Sequence, residues 1–282
     1  MNGTFVEIEW VRAHLDDPSV RIVDARSRPH GANVVAPEGA ELYAAGHVPG
    51  AVHLDYATDL ADPATPYATR VAPPERFAEV AGAAGIGNAT TVVAYDAGDV
   101  PYAARMLWMF RYYGHDGVAI VAGGYRAWLA AGYATQRDVP RYARATFVPH
   151  VRPALRATRD EVLALACGDG DAQLVETQRD KTYALRDRGI PGAVRLSGNV
   201  LLEDERGGRV APPRTLAAVV ANAGLDPARR TVVSCGSGVS ASGSYVALLE
   251  AGFRDVAVYD GSWMEWQHDG LPTVALPERG PT

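Results

Sequence analysis

One pattern runs twice along this chain, in the same order. Arg21-Ile22-Val23-Asp24-Ala25-Arg26 is matched by Gln173-Leu174-Val175-Glu176-Thr177-Gln178, each a short β-rich run reaching an acidic residue. Gly46-His47-Val48-Pro49-Gly50-Ala51-Val52 is matched by Arg188-Gly189-Ile190-Pro191-Gly192-Ala193-Val194. Helical stretches follow, Glu75 to Ala84 and Thr215 to Ala223, each closed by glycine and an aliphatic residue (Gly85-Ile86, Gly224-Leu225). Thr91 to Tyr95 then aligns with Thr231 to Cys235 as a second strand. A further helix lies near Ala103 to Tyr113 in one copy and Ser240 to Ala251 in the other. Val118 to Tyr125 and Val256 to Trp263 close the two copies.

Short β-branched runs alternating with helical segments predict a mainly parallel sheet with helices on both faces. Duplication of one α/β domain of about 125 residues accounts for the chain, since each copy is long enough to bury its own core. The expected boundaries are 1–138 for the first domain, 139–157 for a linker rich in proline and arginine, and 158–282 for the second.

Net charge is −6, which offers no general attraction to nucleic acid or to an anionic membrane. No apolar run approaches the roughly 20 residues that span a bilayer. The first residues carry Glu7, Glu9, Arg12, Asp16 and Asp17 and do not read as a signal peptide. With only Cys167 and Cys235, and no close pairing between them, free thiols in the cytoplasm are expected. The seven histidines show no metal-ligand spacing, so no metal or other cofactor is expected. His47 reads as structural, and capping or loop-bracing hydrogen bonds explain Asp24 and Glu176 as well as catalysis does.

The chemistry concentrates in Cys235-Gly236-Ser237-Gly238-Val239-Ser240, between an apolar strand and a helix. A glycine-rich turn at the carboxyl end of a parallel strand aims several N–H groups at one point, and the helix start adds partial positive charge. A thiol there is expected to ionise easily and to serve as a nucleophile. Gly236 and Gly238 permit close backbone approach, and Ser237 and Ser240 add hydroxyl donors without charge. Cys167 ends the apolar stretch Val162 to Ala166 and reads as a core residue.

These features resemble the tandem rhodanese and mercaptopyruvate sulfurtransferase family. The resemblance is carried by Gly46-His47-Val48-Pro49-Gly50-Ala51, Tyr95-Asp96-Ala97, Trp108-Met109-Phe110-Arg111, Gly114-His115 and Tyr259-Asp260-Gly261-Ser262-Trp263-Met264-Glu265-Trp266. It implies two rhodanese-like domains, a first one without cysteine in which Tyr95-Asp96 stands at the place of Cys235, and a catalytic second one. It implies that Cys235, with Ser237, carries sulfur as a persulfide from a small donor to a thiol, cyanide or a protein acceptor. Thiosulfate-type enzymes tend to place cations beside the cysteine. Gly236 to Ser240 has no charged side chain, like the mercaptopyruvate type.

Mercaptopyruvate enzymes also share an Asp and a His from the first domain, and arginines that hold the substrate carboxylate. Here Ala57, Thr69 and Thr182 stand at three of those places. Arg179, Lys181, Arg186 and Arg188 are nearby cations, any of which could substitute and each of which reads first as a solvated surface residue; Arg179 and Lys181 are the substrate-binding candidates. A sulfur-relay module with little small-donor turnover is the alternative. A phosphatase is the disfavoured rival: Ala241 stands six residues after Cys235, where that chemistry needs an arginine, and none occurs from Gly236 to Glu250.

Overall fold

The computed structural model describes residues 3–27, 38–67, 69–203 and 208–276. The chain divides into two compact units, Met1–Arg152 with Glu203–Val210, and Pro153–Leu202 with Ala211–Thr282.

The first unit has strands β1 (Phe5–Val6), β2 (Val20–Asp24), β3 (Val52–His53), β4 (Thr91–Tyr95) and β5 (Val118–Val121). They form one parallel sheet in the order β1-β5-β4-β2-β3. The second unit has β6 (Arg156–Ala157), β7 (Gln173–Glu176), β8 (Arg188–Gly189), β9 (Val194–Arg195), β10 (Thr231–Ser234), β11 (Val256–Tyr259) and β12 (Val274–Ala275). Its parallel sheet runs β6-β11-β10-β7-β9, which is the first order repeated strand for strand, and β8 and β12 form a separate antiparallel pair. The predicted α/β class and the duplication are both realised.

The strands read as continuous aliphatic runs because both faces are covered. Every residue of β2, β7, β10 and β11 is buried. Val232, Ala257, Tyr259 and Trp266 join Val162, Leu174 and Ile190 in the core of the second unit. The helices start and stop where local chemistry requires. Pro74–Ala83 and Pro213–Asn222 both begin on proline, whose missing N–H costs nothing in a first turn. Both are ended by a glycine at positive φ, Gly85 at 72° and Gly224 at 70°.

Residues 139–157, read as a linker, divide between the units. His150 and Arg152 donate their N–H groups to the carbonyls of Tyr113 and Tyr112, and Asn88 pairs with both main-chain groups of Val148. Phe147 is buried against Phe77 and Phe110. Arg156 and Ala157 are the edge strand β6. Cys167 departs from expectation: it is exposed. The helix Arg159–Ala166 ends one residue before it, so Cys167 is the C-cap, beyond the stripe that buries Val162. Among the described residues no helix is long and apolar enough to cross a membrane, and no group of three His, Cys, Asp or Glu side chains is placed to hold a metal ion.

Candidate active site

Cys235 follows the last residue of β10, and the helix Val239–Glu250 begins four residues later. Between them the chain must reverse within a few residues while keeping its N–H groups turned inward. Gly238 makes this possible at φ 80°, as the helix N-cap. Its N–H donates to Cys235 Sγ at 3.2 Å. The N–H groups of Ser237 and Ala241 also donate to this sulfur. Gly236 lies with its Cα against the Gln178 side chain, so close that a Cβ there would stand 3.3 Å from Nε2. Val239 and Ser240 form the first helical turn.

A second turn braces the first from below. The Cys235 N–H donates to Ser262 Oγ at 3.1 Å, and Ser262 Oγ donates to the Tyr259 carbonyl at 2.7 Å. Trp263 and Met264 donate their N–H groups to the carbonyls of Cys235 and Gly236, both at 3.0 Å. Ser262 holds φ at 50°, a left-handed conformation that side chains other than glycine adopt at a cost of order 1–3 kcal/mol. The strain is retained where the serine hydroxyl serves the cysteine main chain. The sequence hinted at this, since the corresponding place in the first copy is Gly124.

Strand register settles which residue of the first copy corresponds to Cys235. Asp24 pairs with Tyr95 across β2 and β4, and Glu176 pairs with Ser234 across β7 and β10. Tyr95 therefore matches Ser234, and Asp96 matches Cys235, one residue along from the alignment of Tyr95 with Cys235. The Asp96 carboxylate fills its own cradle. Oδ1 accepts N–H bonds from Gly98 (2.8 Å), Asp99 (3.2 Å) and Val100 (3.3 Å), and Oδ2 accepts from Tyr102 and Ala103 (both 3.2 Å). The same loop thus presents an anion-shaped ring of amides in both copies.

Cys235 is buried, and this corrects one expectation. Removing a thiolate from water, and secondarily the Glu176 carboxylate, push the thiol pKa up, while the amides of Ala241, Ser237 and Gly238 pull it back only in part. The loop in this state does not hold an easily ionised thiol. The amides do converge on the sulfur, as the loop sequence predicted.

The cations sort differently from the sequence reading. Lys181 is exposed on the four-residue helix Asp180–Tyr183, and Arg179 is the half-buried N-cap of that helix. Arg186, read as solvated, has a side chain only 7% exposed. Its Nη1 donates to Glu176 Oε2 at 3.0 Å and Gln178 Oε1 at 2.7 Å, and its guanidinium lies 4.0 Å from the Trp263 ring centroid. No spacing rule announces a pair ten residues apart across an irregular turn. Glu176 braces the loop, accepting the Gln178 N–H at 2.9 Å. His47 is buried and structural, with Nδ1 2.9 Å from the Tyr43 carbonyl oxygen.

The model of the rhodanese-like domain matches this chain twice, over residues 7–131 and 158–269. The chain belongs to the rhodanese sulfurtransferase family. This tandem rhodanese is 33% identical to the thiosulfate sulfurtransferase of Bos taurus over 276 residues, 94% of this chain and 90% of that one. It is 30% identical to the sulfur carrier protein TtuD of Thermus thermophilus, over 93% of this chain and 92% of that one. Among solved structures it resembles SseA of Escherichia coli, a 3-mercaptopyruvate sulfotransferase, with a TM-score of 0.83 and 28% identity, covering 93% of this chain and 99% of SseA.

The cradle of this rhodanese gives one direct expectation. A Cβ on Gly238 would stand 2.6 Å from the Asp260 carbonyl oxygen, in addition to the positive φ. Gly238→Ala costs about 1–3 kcal/mol of stability, read by thermal or denaturant unfolding, because both strain and contact oppose the side chain. An alanine variant as stable as the parent contradicts this geometry.

Proposed function

We propose that this rhodanese moves a sulfane sulfur from a small mercapto-acid donor of the 3-mercaptopyruvate kind, through a persulfide on Cys235, to a thiol, cyanide or protein acceptor. The observation that carries the reading is the convergence of the Ser237, Gly238 and Ala241 amides on one sulfur atom. In the first half-reaction the Cys235 thiolate attacks the donor sulfur. An S–S bond forms, the donor C–S bond breaks, and its electron pair leaves as pyruvate enolate, which takes up a proton. In the second, the acceptor attacks the outer sulfur, the S–S bond breaks, and the Cys235 thiolate returns. Both steps develop negative charge on sulfur, which the preorganised amides stabilise in the manner of an oxyanion hole.

The uncharged stretch Gly236 to Ser240 supports a donor with one carboxylate over doubly charged thiosulfate. In steady-state kinetics with a common acceptor, kcat/KM for 3-mercaptopyruvate exceeds that for thiosulfate by at least about tenfold, the size of one unmatched charge at a partly solvated site. A preference for thiosulfate overturns the donor assignment.

A second reading is favoured by the similarity to a sulfur carrier protein across nearly the whole chain. There Cys235 accepts sulfur from a protein partner and turns over small donors slowly. Intact mass after incubation with each donor separates the two: rapid gain of one sulfur from a small donor supports the first, and gain only from a sulfur-loaded protein supports the second.

A further inference from the structure

The two copies solve one local problem with arginines from different places. In the first copy Arg26 lies two residues after Asp24 and grips it through Nε and Nη2 at 2.5–3.0 Å. Arg26 also donates to the Gly46 carbonyl at 2.7 Å and lies 4.0 Å from the Tyr125 ring centroid. In the second copy the residue two after Glu176 is Gln178. Arg186 takes over each contact: Nη1 on the Glu176 carboxylate, Nε on the Arg188 carbonyl at 3.3 Å, and the ring of Trp263 beneath the guanidinium. Arg188 and Trp263 are the repeat counterparts of Gly46 and Tyr125. One nest is filled by an arginine in both copies, although its sequence origin has moved.

What faces the nest has changed. In the first copy the Tyr95 hydroxyl donates to Asp24 Oδ2 at 2.6 Å. In the second, Ser234 stands in place of Tyr95, and its Oγ is buried without a hydrogen-bond partner among the described residues. The Glu176 charge instead bears on the Cys235 thiol. We propose that Arg186 is a positioning residue for Cys235: it holds Gln178 against the sulfur loop and offsets the charge of Glu176, whose strand position lies beside Ser234, the residue before Cys235. Gln178 transmits the first effect by packing on Gly236, and Trp263 ties the same guanidinium to the Cys235 carbonyl.

Of the other charged groups around the loop, Asp260 lies 3.6 Å from Arg156, and the buried Glu265 lies against Gly261. Arg195 donates to the Glu176 carbonyl oxygen and to Asp180, not to the Glu176 carboxylate.

The inference bears on catalysis only through the proposed role of Cys235, but its test needs no donor. The rate of Cys235 alkylation by iodoacetamide is followed against pH, by mass spectrometry of the full chain carrying Cys167→Ser to remove the exposed thiol. Arg186→Met leaves Glu176 uncompensated, so the midpoint moves to higher pH by about one unit, the low end of the range for a neighbouring like charge. Arg186→Lys keeps the charge without the fork and moves it less. Glu176→Gln moves it below the parent, and adding Glu176→Gln to Arg186→Met removes the alkaline shift. An unmoved midpoint in folded Arg186→Met overturns the proposal. Should that variant fail to fold, an unmoved midpoint in Glu176→Gln does so. A shifted midpoint in a protein that never gains sulfur keeps this inference and removes the sulfur-transfer reading. Lost turnover with an unmoved midpoint does the opposite.

Discussion

Cys235→Ser abolishes sulfur transfer from every donor, a loss of about 10³-fold or more, since a hydroxyl in that place has neither the nucleophilicity nor the capacity to hold a second sulfur. The fold survives the change. A serine oxygen still accepts the Gly238 N–H, and the braces from Ser262, Trp263 and Met264 involve only main-chain atoms of Cys235 and Gly236. The measurement is turnover with 3-mercaptopyruvate, with thiosulfate and with a sulfur-loaded protein, alongside intact mass and a thermal melt. A folded serine variant that retains turnover with any of them refutes the persulfide assignment. So does a parent protein whose added sulfur resides on exposed Cys167.

Asp96→Ala destabilises the first unit by about 3–5 kcal/mol, the largest effect expected from a residue remote from Cys235 in sequence. Five main-chain N–H groups lose a charged acceptor at once, in a place where Asp96 itself is 2% exposed. An unsatisfied buried donor costs about 1–3 kcal/mol, and entering water recovers part of the total. For a unit of this size the loss lowers the melting temperature by about 10 °C. Asp96→Asn keeps one oxygen acceptor and costs about half as much. Calorimetry or denaturant melts of the full chain read both. An alanine variant within about 1 kcal/mol of the parent shows that the carboxylate is not the keystone of that loop.

The two predictions describe one loop with two occupants. An acidic side chain plugs the ring of amides in the first copy, and a sulfur atom occupies it in the second. The closing braces are the same: Tyr125 donates to the Asp96 carbonyl at 2.8 Å as Trp263 does to Cys235 at 3.0 Å. Duplication preserved the cradle while the residues around it diverged, with Asp96 at its centre in the first copy and Cys235 in the second.

Much of this was readable in the sequence because it depends on local chemistry. The repeat gave one parallel sheet to each copy, since each carries its own aliphatic runs and its own turn residues. Prolines at the helix starts and Gly85 and Gly224 at the ends acted within one or two residues of their positions. The sulfur loop was visible because two glycines and a cysteine lie together between a strand and a helix. The misreadings share a different cause. Cys167 was grouped with an apolar helix whose last turn it caps from outside. Arg186 looked like one cation in a polar turn, whereas the turn folds back to bring it onto Glu176. The acidity of the Cys235 thiol was inferred from the amides alone, without the burial and the carboxylate that oppose them.

By itself the sequence determined a duplicated parallel α/β fold and a single thiol at a strand end, because periodicity, turn residues and the order of the elements are properties of neighbours along the chain. Only the tertiary structure decided that Asp96 is the counterpart of that thiol, that Ser262 anchors its main chain, and that an arginine ten residues beyond Glu176 fills the nest Arg26 fills in the first copy. Those facts depend on strand register and on which segments return to the same point in space. Register and return are set by packing across the whole sheet, which no stretch of neighbouring residues records.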